Sequence, residues 1–336
     1  MKISIGSKII DGPWGGGNLF VINLKNYLIS NGHEVVHHLG DDDIDIILMT
    51  SPNHKAESSS YGYKDVYKYI KKIKRDSIVI HRINECDERK GTKNVNKFIL
   101  NSNMVADATI FVSSWIKSLY LNQGFKSENS RVILSGSDKN IFNRVNQSIW
   151  DKKSQLKIVT HHWGNNWNKG FEIYSKLDNM IYNNEMNLDV KFTYIGNVPK
   201  NFKFKKSTLL NPISGIELAK KLKDNHIYLT ASLHEPSGNH HIEGAQCGLP
   251  ILFINSGGLP EYCNGYGVMF DNGDFKNKLE YLTANYEKYL NKVREYPRNS
   301  MTMSKDYLDY FEELLNNKNQ VLEKRHNIKL KRFPKI

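Results

Sequence analysis

Segments with strand character alternate with segments of helical periodicity along this chain, and the alternation runs twice. Residues 2–5, 34–38, 45–49, 77–81 and 107–112 are short, apolar and strand-like. Between them Leu19, Ile22, Leu24, Tyr27 and Leu28 repeat at helical spacing, and residues 66–73 and 114–122 do the same. The pattern restarts with strands at 155–160, 190–195, 227–231 and 250–254, and a strand or turn at 267–270. Helices are expected at 171–178, 216–223 and around 240–247. Strands that alternate with helices form a parallel sheet covered on both faces, because parallel neighbours need a crossover. Residues 142–154 are polar and unpatterned, and 336 residues is long for one hydrophobic core. The expectation is an α/β protein of two doubly wound parallel-sheet domains, 1–150 and 151–300, facing a cleft. Residues 301–336 would supply a helix at 305–324, packed back on the first domain, and a basic tail.

Charge narrows the partners. The formal net charge is +12, which suits nucleic acid, anionic lipid or phosphorylated substrates. The basic residues are spread out, except at 68–75 and 324–335. No aromatic-basic module accompanies them, so no nucleic-acid partner is expected. The 66–75 helix leaves a peripheral membrane contact open. Three cysteines without a C-x-x-C pair argue against a disulfide framework or a zinc-thiolate site, and fit a reducing compartment. The opening MKISIGSKII lacks the apolar run of a signal peptide, and no stretch approaches ~18 apolar residues. A soluble, cytoplasmic protein is expected.

Chemistry concentrates in residues 231–261, ASLHEPSGNHHIEGAQCGLPILFINSGGLPE. A strand ends at Ala231, and the loop after it carries Glu235. The turn Pro236-Ser237-Gly238-Asn239 opens a helix that carries Glu243. Free backbone N–H groups at that helix start, around Gly238–His241, suit a diphosphate, and Gly238 lets backbone approach closely. Glu243, about one turn in, is placed to accept from a ribose diol, and Glu235 to hold sugar hydroxyls. His81, Arg82 and Asn84 are read as following a strand end and facing the cleft. Asp41-Asp42-Asp43 lies at the amino end of a strand, away from that side, and the doublets His37-His38, His161-His162 and His240-His241 lack zinc spacing. No metal site is expected. No G-x-S-x-G motif marks a hydrolase elbow.

These residues resemble the Glu-x7-Glu signature of retaining glycosyltransferases of the GT-B fold, especially glycosyltransferase family 4. Glu235 and Glu243 are followed by Gln246-Cys247-Gly248-Leu249-Pro250 and Gly257-Gly258-Leu259-Pro260-Glu261, as in that family. Gly15-Gly16-Gly17 and Asn31-Gly32-His33-Glu34-Val35 resemble its N-terminal glycine loop and G-H-E-V turn. Val112-Ser113-Ser114 with Lys117 and Gly124 looks like its V-S-x-x-x-K segment, and Lys169-Gly170 like its K-G helix start. Ser135-Gly136-Ser137-Asp138 with Phe142 is similar to its N-G-V-D linker, with two of the four residues changed.

The resemblance implies two Rossmann-like domains, a nucleotide-diphosphate sugar as donor, retention at the anomeric carbon, and neither metal nor cofactor. It implies catalytic roles for Glu235, Lys169 and His81. Donor contacts would come from Gly16, Gly17, Lys169, Ser237, Gly238, Asn239, His240 and Glu243, with Asn211 and Ser214 near the base. Arg82, Asn84 and His162 are candidates for the acceptor side or the cleft. The acceptor would be a glycan or a lipid-linked or protein-linked group. One departure matters: the family's Gly-Arg before Lys-Gly is absent, and residues 160–167 read THHWGNNW. Lys169 would remain as a point charge, and His162 or the Asn pair would replace the lost hydrogen bonds. The rival expectation is a degenerate scaffold that binds a nucleotide sugar or glycan without turnover.

Overall fold

The computed structural model describes residues 1–10, 15–126, 129–323 and 325. Residues 11–14 of the glycine loop, and the basic tail apart from Arg325, lie outside them. Contacts divide the chain into two compact units.

The first unit alternates β1 (Lys2–Ile5), α1 (Gly16–Ser30), β2 (Glu34–Val36), β3 (Ile46–Met49), α2 (Tyr63–Lys72) and β4 (Ile78–Ile83). It continues through α3 (Asp87–Lys90), α4 (Val95–Ser102), β5 (Ala108–Phe111), α5 (Ser114–Asn122) and β6 (Ser130–Val132). The second contains β7 (Leu156–His162), α6 (Phe171–Tyr182), β8 (Val190–Gly196), β9 (Thr208–Leu210), α7 (Gly215–Lys223) and β10 (Ile227–Thr230). It closes with α8 (Asn239–Gln246), β11 (Ile251–Ile254), α9 (Leu259–Cys263), β12 (Gly267–Phe270), α10 (Phe275–Ala284) and α11 (Tyr286–Val293). The chain then forms α12 (Ser300–Asn316) and α13 (Lys318–Glu323), which belong to the first unit.

Each unit holds a six-stranded, wholly parallel sheet, ordered β2-β1-β3-β4-β5-β6 in the first and β12-β11-β10-β7-β8-β9 in the second. The inner strands are buried along their whole length, as at Ile46–Met49, Ile78–Ile83 and Ile251–Ile254. That is why they read as continuous apolar runs instead of alternating ones. Helix α1 buries Phe20, Val21, Leu24 and Leu28, and α12 buries Met303, Tyr307, Phe311 and Leu314, each at helical spacing. These side chains meet Ile3, Ile46 and Ile78 in one core, so the last long helix completes the first sheet's cover.

Three sequence expectations change. The division between units falls at Ser135–Gly136, earlier than 150. The polar stretch after it is anchored in the second unit by the buried Phe142 and by Trp150, which packs edge-on to Tyr286. Gly16 and Gly17, expected as bare loop backbone, form the first turn of α1 and are exposed. Asn18 ties the helix start to the end of the preceding segment: its side chain accepts from the Ile10 amide at 3.0 Å and donates to the Ile10 carbonyl at 2.7 Å. The terminal helix is two pieces, with Asn317 between them.

Candidate functional site

In the second sheet the chain leaves β7 outward to β8 and β9, then crosses back to β10, β11 and β12. The order reverses between β7 and β10. Loops at the carboxyl ends of two such strands diverge and open a crevice, the usual ligand position in parallel α/β sheets. Within this unit the two loops are 163–170 after β7 and 231–238 after β10.

Close backbone approach locks the loops together. Gly170 has φ of 102°, and a Cβ there would lie 2.7 Å from the Ala231 Cβ, so only glycine fits. The Leu233 amide donates to the Asn168 carbonyl at 2.7 Å. This registration brings Lys169 Nζ to 2.5 Å from Glu235 Oε2, with both residues buried. The Glu235 backbone is seated by the Gly257-Gly258 turn. The Gly258 amide donates to the Glu235 carbonyl at 2.8 Å, and a Cβ on Gly257 would come within 2.5 Å of that oxygen. The double glycine is thus explained by a loop packed on it.

A second pair lies beside the first. His161 Nε2 is 2.7 Å from Glu243 Oε2 on α8, and the Tyr228 hydroxyl is 3.1 Å from His161 Nδ1. A proton on Nε2 facing the carboxylate leaves Nδ1 to accept from that hydroxyl. Gly238, which precedes α8, has φ of 90°, and a Cβ there would sit 2.7 Å from the His240 ring and 3.0 Å from Glu235 Cγ. The helix therefore starts on a glycine with its first amides beside the Lys169–Glu235 pair. Ser237 and Asn239 flank that start, Ser237 buried and Asn239 half-buried.

Four histidine rings gather here. His162 lies 4.5 Å from His240 between ring centroids, and His240 4.9 Å from His241. Burial, with the Lys169 charge second, holds His162 well below the usual imidazole range, and burial does the same to His240. His241 is pushed down to about 3 by burial. It is packed edge-on to Tyr262, and among the described residues neither of its ring nitrogens has a hydrogen-bond partner. His162 Nε2 takes the Tyr174 hydroxyl at 2.7 Å, and His240 Nε2 the Thr230 hydroxyl at 2.9 Å. Both side chains point into the fold. The expectation that His162 replaces the missing Arg toward a ligand gives way to this buried bond.

The other expected residues stand elsewhere. Asn211 and Ser214 are exposed after edge strand β9, two strands along from β7. In the first unit, β4 continues to Ile83, so His81 and Arg82 lie inside the strand and not past its end. His81 is buried, bonds Asn103 at 2.9 Å, and is pushed down to about 4 by burial. The Arg82 guanidinium lies 4.0 Å from the Phe20 ring centre and donates to the Tyr307 hydroxyl at 3.2 Å. Both are thus held within the fold; Asn84 follows the strand, half-buried. The Asp41–Asp43 run gathers on the Lys2 ammonium, at 2.7 Å from Asp41 and 2.9 Å from Asp43. Among the described residues no group of three or more His, Cys, Asp or Glu is placed to hold a metal ion, and no helix is long and apolar enough to cross a membrane. Sequence reasoning missed His161, Tyr228 and His241; the histidine doublets at 161 and 240 were the only signal for the cluster.

No family's sequence profile and no curated protein matches the chain. Solved structures do. A glycosyltransferase from Rickettsia africae is 15% identical, with a TM-score of 0.68, over 94% of this chain and 98% of that one. Sucrose-phosphate synthase from Thermosynechococcus elongatus is 14% identical, with a TM-score of 0.64, over 94% and 99%. HepE from Anabaena, in complex with UDP-glucose, is 12% identical, with a TM-score of 0.62, over 97% and 99%. With two wholly parallel sheets flanked by helices and these structural neighbours, the chain has the GT-B glycosyltransferase fold.

Proposed function

We propose that the protein transfers a sugar from a nucleotide-diphosphate sugar to an acceptor hydroxyl, with retention and without metal, in glycan or glycoconjugate assembly at the cytoplasmic side. The observation that carries this reading is the Lys169–Glu235 pair beside the glycine-started helix α8 at the strand-order reversal. As the bond from the anomeric carbon to the diphosphate oxygen breaks, negative charge grows on the leaving phosphate. The Lys169 ammonium and the first amides of α8 are fixed in advance for that charge, which is where preorganised dipoles act most strongly. Glu235 holds the ammonium in place and shares it with the arriving anion. The acceptor oxygen attacks from the side the phosphate leaves, and the phosphate takes the acceptor proton. Glu243, oriented by His161, faces the ribose diol. A nucleotide sugar bound to HepE supports the donor class.

The second reading, a scaffold that binds without turnover, is favoured by one observation: the loop after β7 carries no Arg, and Glu235 already neutralises Lys169. Thermal melting with UDP, GDP, ADP and their sugar conjugates separates the two. Saturation at ~100 times Kd adds about 2.7 kcal/mol of stability. A nucleotide that stabilises the wild type but not Glu243→Ala, and whose sugar conjugate is consumed with an acceptor, establishes the transferase. Stabilisation without consumption establishes the scaffold, and the absence of any shift at millimolar nucleotide removes the transferase and leaves a scaffold that does not bind the donor.

A further inference from the structure

Helix α2 carries an outer face of lysines that answer to nothing in the fold. Its inner face buries Tyr63, Val66, Tyr69 and Ile70. Lys64, Lys68, Lys71 and Lys72 are exposed on the other side. Residues three and four apart on a helix are neighbours, so these four form one stripe in which each faces a like charge. Tyr67 lies in the same stripe: the Lys71 ammonium is 5.4 Å from its ring centre and donates to its hydroxyl at 3.4 Å. Ile73, just past the helix, is 53% exposed. The one acid of the helix, Asp65, is turned to the helix start, where it accepts from the Gly62 amide at 3.0 Å. The acids near the other end are taken, Asp45 by Lys74 at 3.1 Å and Asp76 by Lys318 at 2.5 Å. Among the described residues no ion pair reaches the four lysines. Other helices balance their cations: Lys278 has Asp274 at 3.7 Å at the start of α10, and Lys305 has Asp309 at 2.5 Å on α12.

Like charges at this spacing cost a helix stability, and the carboxyl-end dipole offsets that only for Lys71 and Lys72. Lys64 stands in the first turn, where the dipole disfavours a cation. The stripe therefore calls for anions from outside the chain. We propose that it docks on an anionic lipid surface, an interaction that stands apart from the transferase reading. The lysines meet the lipid phosphates and carboxylates. The Tyr67 ring and the Ile73 side chain enter the zone between headgroups and acyl chains, where amphipathic and apolar groups are favoured. That mixture selects lipid over nucleic acid, which offers phosphates to the lysines but no apolar layer to Ile73. The sequence after α13 has the same character. The Arg325 guanidinium donates to the Arg75 carbonyl at 2.6 Å, just beyond α2. Residues 326–336, HNIKLKRFPKI, mix basic and apolar side chains and hold no acid.

Co-sedimentation of the full chain with phosphatidylcholine vesicles, with and without phosphatidylserine, tests this, and binding to duplex DNA is measured beside it. The expected result is binding that needs phosphatidylserine and falls with salt. Each lysine near such a surface strengthens binding about fivefold, so Lys64→Gln with Lys68→Gln and Lys72→Gln weakens it about a hundredfold. The melting temperature of that variant stays at or above that of the wild type, since like charges at helical spacing are removed. Lys220→Gln with Lys221→Gln and Lys223→Gln on α7 makes the same change in net charge and leaves binding unchanged. Equal loss in the two triple variants would assign the attraction to overall charge and overturn the inference, as would a wild type indifferent to phosphatidylserine. DNA bound more tightly than the vesicles, and released in the α2 variant, would assign the stripe to nucleic acid and overturn it too.

Discussion

Buried ion pairs occur in both units, at opposite ends of their strands. In the first, Asp107 immediately precedes β5 and pairs with Arg325, whose guanidinium also donates to the Arg75 and Ser77 carbonyls. That pair ties the chain that follows α13 to the amino ends of strands. In the second, the Lys169–Glu235 ion pair and the His161–Glu243 hydrogen bond join the carboxyl end of β7 to the loop and helix after β10. Loops diverge at carboxyl ends and α8 aims its first amides there, whereas amino ends receive the returning crossovers. The same device, a carboxylate neutralising a buried cation, therefore closes the structure at one end of a sheet and charges a ligand crevice at the other.

The largest expected effect breaks these pairs. Asp107→Ala and Glu235→Ala each leave a buried cation without its carboxylate and should cost about 3–5 kcal/mol by urea denaturation. Removing both charges separates the roles. Lys169→Met with Glu235→Gln should recover most of the stability, yet show no stabilisation by the nucleotide that stabilises the wild type. If the double variant still responds to nucleotide, the Lys169–Glu235 pair is as structural as that of Asp107, and the comparison fails.

Acid should separate the units next. His162, His226, His240 and His241 lie in the second unit with imidazoles held down by burial, against His81 and the half-buried His33 and His37 in the first. A lowered folded-state value means that the unfolded chain binds more protons. The stability is complete above about 6.5 and is lost as pH falls toward the folded value. For His241, at about 3 in the fold, the loss between pH 7 and pH 5 is about 2 kcal/mol. Hydrogen exchange at pH 5 should open the second unit before the first. His241→Phe, which keeps a ring against Tyr262, should flatten the acid limb by that amount. An unchanged acid limb in His241→Phe would place the sensitivity elsewhere.

The alternation of strands and helices was legible because inner strands are apolar throughout and helices carry one apolar stripe. Edge strands β6 and β9, three residues each, were not, since SRV and TLL carry no pattern. Arg82 made β4 look shorter than it is; its partners Phe20 and Tyr307 lie far along the chain, and no local rule reveals them. The same holds at the site. Glu235, Glu243, Gly238 and Lys169 were legible as a motif, and the motif suggested sugar and ribose contacts. Their partners in the fold are each other and His161, brought together by the registration of Gly170 against Ala231.

The smallest expected effect concerns a pair with neither kind of end to serve. Arg131 on β6 meets Glu313 on α12 at 2.7 Å, with both side chains well exposed, and its guanidinium lies 4.2 Å from the Tyr310 ring centre. Water already solvates both charges, so Glu313→Gln should cost only ~0.2–1 kcal/mol, less in high salt, and leave nucleotide stabilisation untouched. The attachment of α12 rests instead on Met303, Tyr307, Phe311 and Leu314 in the core, where Phe311→Ala should cost about 3–5 kcal/mol. Urea denaturation at low and high salt checks both. A Glu313→Gln loss approaching that of Phe311→Ala would mean that surface charge holds the helix, and would blur the distinction between pairs that close the fold and pairs that wait for a ligand.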